Sequence, residues 1–228
     1  MKNILIIVTS HCNLFNTDNK TGLWIGEFTE PYYEFIDAGF KITIASPKGG
    51  DPPIDNLSQL TENITASNRR YQDDLQAQQA LMNSLRLDAI TGFDYDAIFL
   101  PGGHGPMFDL ASNETCASLI LEFIKSKKPI AAVCHGPAAL LKAAHLDKKI
   151  LSGKRITAFS NMEEKLAMRS DNIPYYLEDK LKELGADYCS SPIPFIPHVE
   201  RDGLLITGQN PLSAGPTAKA LIKVLQKN

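Results

Sequence analysis

Hydrophobic and polar residues alternate along this chain in blocks whose lengths suit strands and helices in turn. The first block, Ile4-Leu5-Ile6-Ile7-Val8, is a continuous, largely β-branched run, as expected of a strand buried on both faces of a parallel sheet. Between about residues 26 and 38 the apolar residues recur at helical spacing, and Gly39 ends that segment. A second strand follows at residues 41–45. The chain therefore begins as strand, helix, strand.

The same alternation continues to the end of the chain. Further strands are predicted at 95–100, 129–133 and 155–159, further helices at about 67–90, 116–127, 138–144, 175–184 and 213–226, and a hairpin at 198–207 around an Asp202-Gly203 turn. This pattern predicts an α/β fold: an open, mostly parallel sheet with helices on both faces, in a flavodoxin-like three-layer sandwich. We expect a single domain over residues 1–228, and we consider a small cap formed by about residues 50–92.

Composition and charge narrow the class of protein. The chain has 228 residues, of which 43% are hydrophobic and 21% are charged, and its net charge is -3. No apolar run approaches the roughly 18 residues of a membrane span, and the first run is shorter than the roughly 7–15 residues of a signal-peptide core. Without such an apolar run no membrane partner is expected, and without a basic run no nucleic-acid partner is expected. We expect a cytoplasmic protein.

The four cysteines, Cys12, Cys116, Cys134 and Cys189, are scattered along the chain. None belongs to a pair or a cluster with metal-ligand spacing, so no metal site is predicted. A free cysteine is most often a small buried hydrophobic residue, and three of the four keep that interpretation. Cys134 differs because of its place in the predicted sheet.

Ligand sites in such folds lie beyond the carboxyl ends of the strands. One strand ends at Pro101-Gly102-Gly103-His104, where paired glycines let backbone N–H groups approach a ligand. Another ends at Cys134-His135-Gly136, between a buried strand and a helix start, which is typical of a nucleophile elbow. A helix N-terminus there would favour the thiolate. The N–H groups near Gly103 and that of His135 would then form an oxyanion hole. His104 either lines this pocket or is a surface histidine.

These two segments carry a resemblance to a known family. The run from Ala131 to Ala138, with Leu100 to Gly105 upstream, resembles the ThiJ/PfpI superfamily, which is related to class I glutamine amidotransferases. The segments 26–27, 45–50 and 207–213 also resemble the family, so the match covers nearly the whole chain. Within the superfamily the chain is most similar to the stress-inducible branch of chaperones and glutathione-independent glyoxalases, which carry a Cys-His-acid triad.

The resemblance assigns roles to particular residues. Cys134 is the implied nucleophile, and Glu27 on the first helix is implied to hydrogen-bond its sulfur. His135 is the implied second member of the triad. The third member is an acid that follows the next strand, where Glu164 matches best and Glu163 is the alternative.

The resemblance also implies a reaction. It predicts conversion of methylglyoxal or glyoxal to a 2-hydroxy acid with no metal or organic cofactor, on a small dicarbonyl substrate. The alternatives are a holdase chaperone that binds unfolded protein clients and a deglycase that repairs glycated protein. A cysteine amidase or peptidase is less favoured. Family members are commonly homodimers, so a homodimer is expected.

Overall fold

The computed structural model describes residues 1–227 and is built around a seven-stranded sheet. The nine strands are β1 (Asn3–Ile7), β2 (Lys41–Ser46), β3 (Leu85–Arg86), β4 (Ala97–Leu100), β5 (Ile130–Val133), β6 (Arg155–Ile156), β7 (Asp187–Tyr188), β8 (Val199–Asp202) and β9 (Leu205–Gly208). Within residues 1–227 the eight α-helices are α1 (Ile25–Asp37), α2 (Ala66–Asp73), α3 (Leu75–Met82), α4 (Glu114–Lys125), α5 (Leu140–Leu146), α6 (Asn161–Leu166), α7 (Leu177–Glu183) and α8 (Ala214–Leu225).

The main sheet has the order β3-β2-β1-β4-β5-β9-β8. Every neighbouring pair is parallel except β8 and β9, which form the predicted antiparallel hairpin. Side chains of β1 alternate between the two faces, so that Leu5 and Ile7 pack with α4 and α5, whereas Ile4 and Ile6 pack with α1 and α8. The predicted three-layer α/β sandwich is therefore confirmed.

Residues 67–90, predicted as one helix, form two helices and a short strand. Asp74 interrupts the helix because its side chain accepts a hydrogen bond from the N–H of Ala77 (3.0 Å) and caps the start of α3. The chain then leaves the helix, and β3 pairs with the end of β2. Within the span considered as a cap, the stretch 56–63 forms two turns of 3₁₀-helix, which supply Leu57 to the cavity described below. The division into one domain with a cap stays a prediction.

The strand predicted at 155–159 is also shorter than expected. Only β6 pairs, and it pairs with β7 in a separate two-stranded sheet. The next residues turn their N–H groups to other partners: Thr157 donates to the Thr207 hydroxyl at 2.8 Å, and Phe159 donates to the Cys134 carbonyl at 2.9 Å. These bonds hold the segment against the end of β5 instead of extending a ladder. Across residues 1–227, no helix is both long enough and apolar enough to cross a membrane.

Candidate active site

Cys134 lies at the carboxyl end of β5, in a sharp turn between the strand and the next helical segment. Its φ is +59°, a left-handed conformation that is unfavourable for a residue with a side chain. Two backbone bonds hold it there: its N–H donates to the carbonyl of Gly208 at 2.9 Å, and its carbonyl accepts from Phe159. The strained turn and the placement of the sulfur at the sheet edge are those of a nucleophile elbow.

The glycine loop after β4 lies directly on this elbow. A Cβ on Gly102 would come within 2.7 Å of the backbone nitrogen of His135. Gly103 has φ +83°, and a Cβ there would collide with the backbone of Gly22 and Trp24. Gly102 is therefore required for the close approach of this loop to the elbow, and Gly103 for its close approach to the segment before α1.

The structure reduces the number of N–H groups that could form the predicted oxyanion hole. The N–H of Gly102 donates to Glu27 Oε2 at 2.8 Å, so it is not available to a substrate. The N–H groups of Gly103 and His135 have no acceptor within residues 1–227. Both residues line the same cavity as Cys134, so these two donors are available to a negatively charged oxygen there.

His135 connects the sulfur to a buried acid. Its Nδ1 lies 3.3 Å from Cys134 Sγ, and its Nε2 lies 2.7 Å from Glu164 Oε2. The second carboxyl oxygen of Glu164, Oε1, lies 2.7 Å from His104 Nε2. One carboxylate thus binds two imidazoles whose ring centroids are 4.1 Å apart. His104 is a buried member of this cluster as well as part of the cavity wall.

The electrostatics of the cluster follow from burial and from the two histidines. Burial by itself would raise the pKa of Glu164, but His135 and the hydrogen bonds from both rings outweigh it, and its pKa lies well below its usual range. Burial and the neighbouring His135 lower the pKa of His104 to about 4. At neutral pH His104 is therefore uncharged, and its Nε2–H can donate to an ionised Glu164.

Glu163, the alternative third member, is fully buried but has different partners. Its Oε2 accepts from the N–H and hydroxyl of Ser160, which closes the capping box at the start of α6. Its Oε1 accepts from the N–H of Phe195 at 2.8 Å and from the amide of Asn210 at 2.9 Å. Glu163 thus holds the chain around the site and does not reach His135.

Glu27 stands on the other side of the cysteine, in the first turn of α1. Its Oε1 has no hydrogen-bond partner within residues 1–227, and its carboxyl lies close enough to the Cys134 thiol for the two groups to influence each other's pKa. Complete burial raises the pKa of Glu27 to about 8, although the N–H of Gly102 opposes the change. A carboxyl of this kind holds its proton at neutral pH and can give it up or regain it near that pH.

The thiol of Cys134 is not stabilised as an anion in the resting site. Burial raises the pKa of this thiol well above its usual value. This differs from the expectation that a helix N-terminus favours the thiolate. The reason is structural: the elbow leads first into a 3₁₀ turn at Gly136–Ala139, and α5 behind it has only seven residues.

A cavity of about 340 Å³ opens above the cysteine. Cys134, His135 and Gly103 line it, and the rest of its lining is mostly apolar. That lining comprises Trp24, Leu57, Phe159, Ala167, Phe195, Pro211 and Leu212, with Glu62, Asn63, His104, Arg169 and Asn210 as polar members.

Sequence reasoning missed two features of this cavity. Arg169 forms a buried ion pair with Asp55 at 2.8 Å across 114 positions of the chain, and no local pattern announces such a pair. Phe195 lies in a segment with no motif. Asn210 had a signal, because it lies in the segment 207–213 that resembles the family.

His104, His135 and Glu164 place their donor atoms within 4.8 Å of one another, which is a spacing a metal ion would accept. Each histidine Nε2 is, however, already hydrogen-bonded to an oxygen of the same carboxylate. The three residues thus serve each other as partners in a hydrogen-bonded cluster.

The fold and the site together define an α/β protein with a cysteine at a nucleophile elbow. The chain belongs to the DJ-1/PfpI family, whose model matches residues 24–224. This confirms the family resemblance that the sequence carries.

Individual relatives agree over nearly the whole chain. It is 30% identical to a glutathione-independent glyoxalase of Schizosaccharomyces pombe, over 98% of this chain and 96% of that protein. The crystal structure of a rapid encystment protein from Francisella tularensis superposes with a TM-score of 0.93 at 39% identity, covering 99% of both chains. Glyoxalase III of Candida albicans has a TM-score of 0.89 at 26% identity, covering 100% of this chain and 98% of that one.

Proposed function

We propose that this protein is a glutathione-independent glyoxalase that converts methylglyoxal and glyoxal to 2-hydroxy acids through Cys134. The observation that carries the proposal is the position of the thiol between two proton-transfer groups, Glu27 on one side and His135 on the other. An isomerisation that moves a proton between adjacent carbons needs both a nucleophile and such groups. The names of the yeast relatives support the same activity.

The first step is addition of the sulfur to the aldehyde carbon. His135 Nδ1 takes the thiol proton as the carbon–sulfur bond forms, and Glu164 stabilises the resulting imidazolium. The aldehyde oxygen becomes an alkoxide, which the N–H groups of Gly103 and His135 stabilise. The imidazolium of His135 then gives its proton to this alkoxide, and the product of the step is the neutral hemithioacetal.

The second step is the proton transfer. Glu27 gives its proton to the oxygen of the neighbouring carbonyl and takes the hydrogen of the former aldehyde carbon, which forms an enediol. It then delivers that hydrogen to the neighbouring carbon, and the hydroxyl proton on the former aldehyde carbon returns to Glu27, so that the hemithioacetal becomes a thioester of the 2-hydroxy acid. No electrons enter or leave, because one carbon is oxidised as its neighbour is reduced. Water then hydrolyses the thioester, which regenerates the thiol and releases lactate from methylglyoxal.

The test is lactate formation from methylglyoxal without glutathione. Wild-type protein should form lactate, and Cys134→Ala should lose at least about a thousandfold in rate because no covalent intermediate can form. Cys116→Ala is the matched control, since that buried cysteine packs in the core away from the cavity. Equal rates for wild type and Cys134→Ala would refute the proposal.

The alternative activities can be distinguished with the same variants. Repair of glycated protein would use Cys134 as well, so it is tested by comparing the rate at which a glycated peptide loses its modification with the rate at which free methylglyoxal is turned over. If the protein is a holdase, the Cys134→Ala variant should suppress the aggregation of a client protein as well as the wild type does. Amide hydrolysis would show as turnover of a peptide or glutamine.

A homodimer and a cytoplasmic location stay predictions, to be tested by light scattering and by cell fractionation.

A further inference from the structure

We infer that the site takes 2-oxoaldehydes with a bulky apolar substituent, arylglyoxals in particular, and that Phe195 is the residue that selects them. This inference rests on the proposed glyoxalase activity. It concerns the part of the cavity that methylglyoxal would leave empty.

The first observation is the shape of the cavity. Cys134, His135 and Gly103 line the cavity together with a mostly apolar wall. Its volume of about 340 Å³ falls within the range of about 300–1,000 Å³ that is usual for pockets enclosing drug-sized ligands. Methylglyoxal carries only a methyl group beyond its two carbonyls. Most of the apolar wall above the cysteine would then face water, although contact with a larger apolar group would be favourable.

The second observation is the aromatic composition of that wall. Phe159 packs against His135 with ring centroids 4.6 Å apart, and Phe195 stands 6.1 Å beyond Phe159. Trp24 belongs to the same lining. Aromatic rings prefer such offset and tilted contacts. An aryl group attached to the reacting carbonyl would therefore contact these rings when the carbonyl is bound at Cys134.

The third observation is that the fold holds Phe195 in an unfavourable conformation at this place. Its φ is +60°, and its N–H is bound by the fully buried Glu163 at 2.8 Å. Glu163 also binds Asn210, another residue of the cavity wall. A bulky side chain in this region of φ is strained and persists only where its surroundings fix it. Phe195 is nevertheless 40% exposed and lines the cavity, so it is available to contact a substrate.

The chemistry requires no new component. An arylglyoxal such as phenylglyoxal would add Cys134 at its aldehyde carbon, transfer one proton to the former ketone carbon and leave as the 2-aryl-2-hydroxy acid after hydrolysis. The atoms balance as they do for methylglyoxal, with one water consumed.

The experiment compares kcat/KM for phenylglyoxal and methylglyoxal in wild type and in Phe195→Ala. We expect wild type to favour phenylglyoxal by about tenfold or more, and Phe195→Ala to lose about tenfold on phenylglyoxal while changing less than about twofold on methylglyoxal. Using the variant-to-wild-type ratio for each substrate removes their intrinsic difference in reactivity. Phe195→Tyr, which keeps the ring, should retain the preference.

Phe93→Ala is the control, because this exposed phenylalanine precedes β4 at the opposite end of the sheet and should leave both substrates unchanged. Equal losses on both substrates in Phe195→Ala, or no wild-type preference for phenylglyoxal, would overturn the assignment of Phe195 and leave the glyoxalase activity standing. If Cys134→Ala matched wild type on both substrates, the proposed function itself would fail. The two failures are therefore distinguishable.

Discussion

Two buried carboxyl groups approach the reacting residues from opposite sides, and their pKa values move in opposite directions. Glu27 contacts Cys134 from α1 and has a pKa raised to about 8, whereas Glu164 contacts His135 from α6 and has a pKa well below its usual range. Both are almost completely buried. Burial alone cannot explain the difference.

The hydrogen-bond partners and neighbouring charges of the two carboxyl groups explain why their pKa values differ. Burial raises the pKa of both groups, but Glu27 receives a single backbone hydrogen bond and faces a thiol, with acidic Glu30 and Asp55 in its surroundings. Glu164 receives hydrogen bonds from two imidazoles at 2.7 Å. Hence the same residue type can hold a proton on one side and a charge on the other, and this separation suggests the roles of acid-base group and orienting anion.

The largest expected effect follows from removing the titratable group on the cysteine side. Glu27→Gln keeps the size and the acceptor for Gly102 but cannot move a proton, so methylglyoxal turnover should fall by about a thousandfold. The pH profile of the remaining activity should lack the bend near pH 8 that Glu27 gives the wild type. Glu30→Gln, one turn further along α1, is the matched control and should stay close to wild type. Retention of full activity by Glu27→Gln would remove the acid-base role.

On the histidine side we expect a smaller loss. Glu164→Gln should lower kcat by roughly a hundredfold, because His135 loses the charge that orients its ring and stabilises the imidazolium. Asp171→Asn, an exposed carboxylate shortly after α6, serves as its control. Glu163→Gln should mainly reduce stability, since that carboxyl caps α6 and binds Phe195. If Glu163→Gln lost activity and Glu164→Gln did not, the triad would have to be reassigned.

The smallest expected effect is on the pH dependence of the free energy of unfolding, which tests whether the pKa values of Glu27 and Glu164 are shifted in opposite directions. Because the folded-state pKa of Glu27 lies above the unfolded value near 4.5, its contribution is favourable in acid and is lost as pH rises from about 4.5 to about 8. Glu27→Gln should therefore gain stability relative to wild type over that window, by a few kcal/mol at most, and level off above pH 8.

The contribution of Glu164 to stability should change with pH in the opposite direction. Its lowered pKa contributes stability above about pH 4.5 that is lost at lower pH, so Glu164→Gln should be less stable than wild type at neutral pH and approach it in acid. Thermal unfolding at about pH 2.5, 4, 6 and 8.5 would measure both dependences, because the loss for Glu164 occurs below pH 4.5 and that for Glu27 above it. Parallel pH dependences for the two variants would contradict the opposite shifts.

The sequence by itself determined the frame of this protein and the centre of its site. The run Ile4–Val8 is apolar on both faces and could only be a buried strand, and the alternation that follows requires a parallel sheet with helices on either side. Cys134 and His135 follow a buried strand, so the topology alone brings them to the edge where ligands bind. These are consequences of local pattern and of rules that hold for all such sheets.

The tertiary structure decided which neighbouring residue does what. Glu163 and Glu164 are adjacent in the chain and both buried, yet successive residues on a helix point in different directions, so only one meets His135 while the other caps α6. The thiol protonation, the Asp55–Arg169 pair and the left-handed Phe195 also depend on segments far apart in sequence. Such features arise from burial and from contacts across the fold, and no pattern within a short window of the chain contains them.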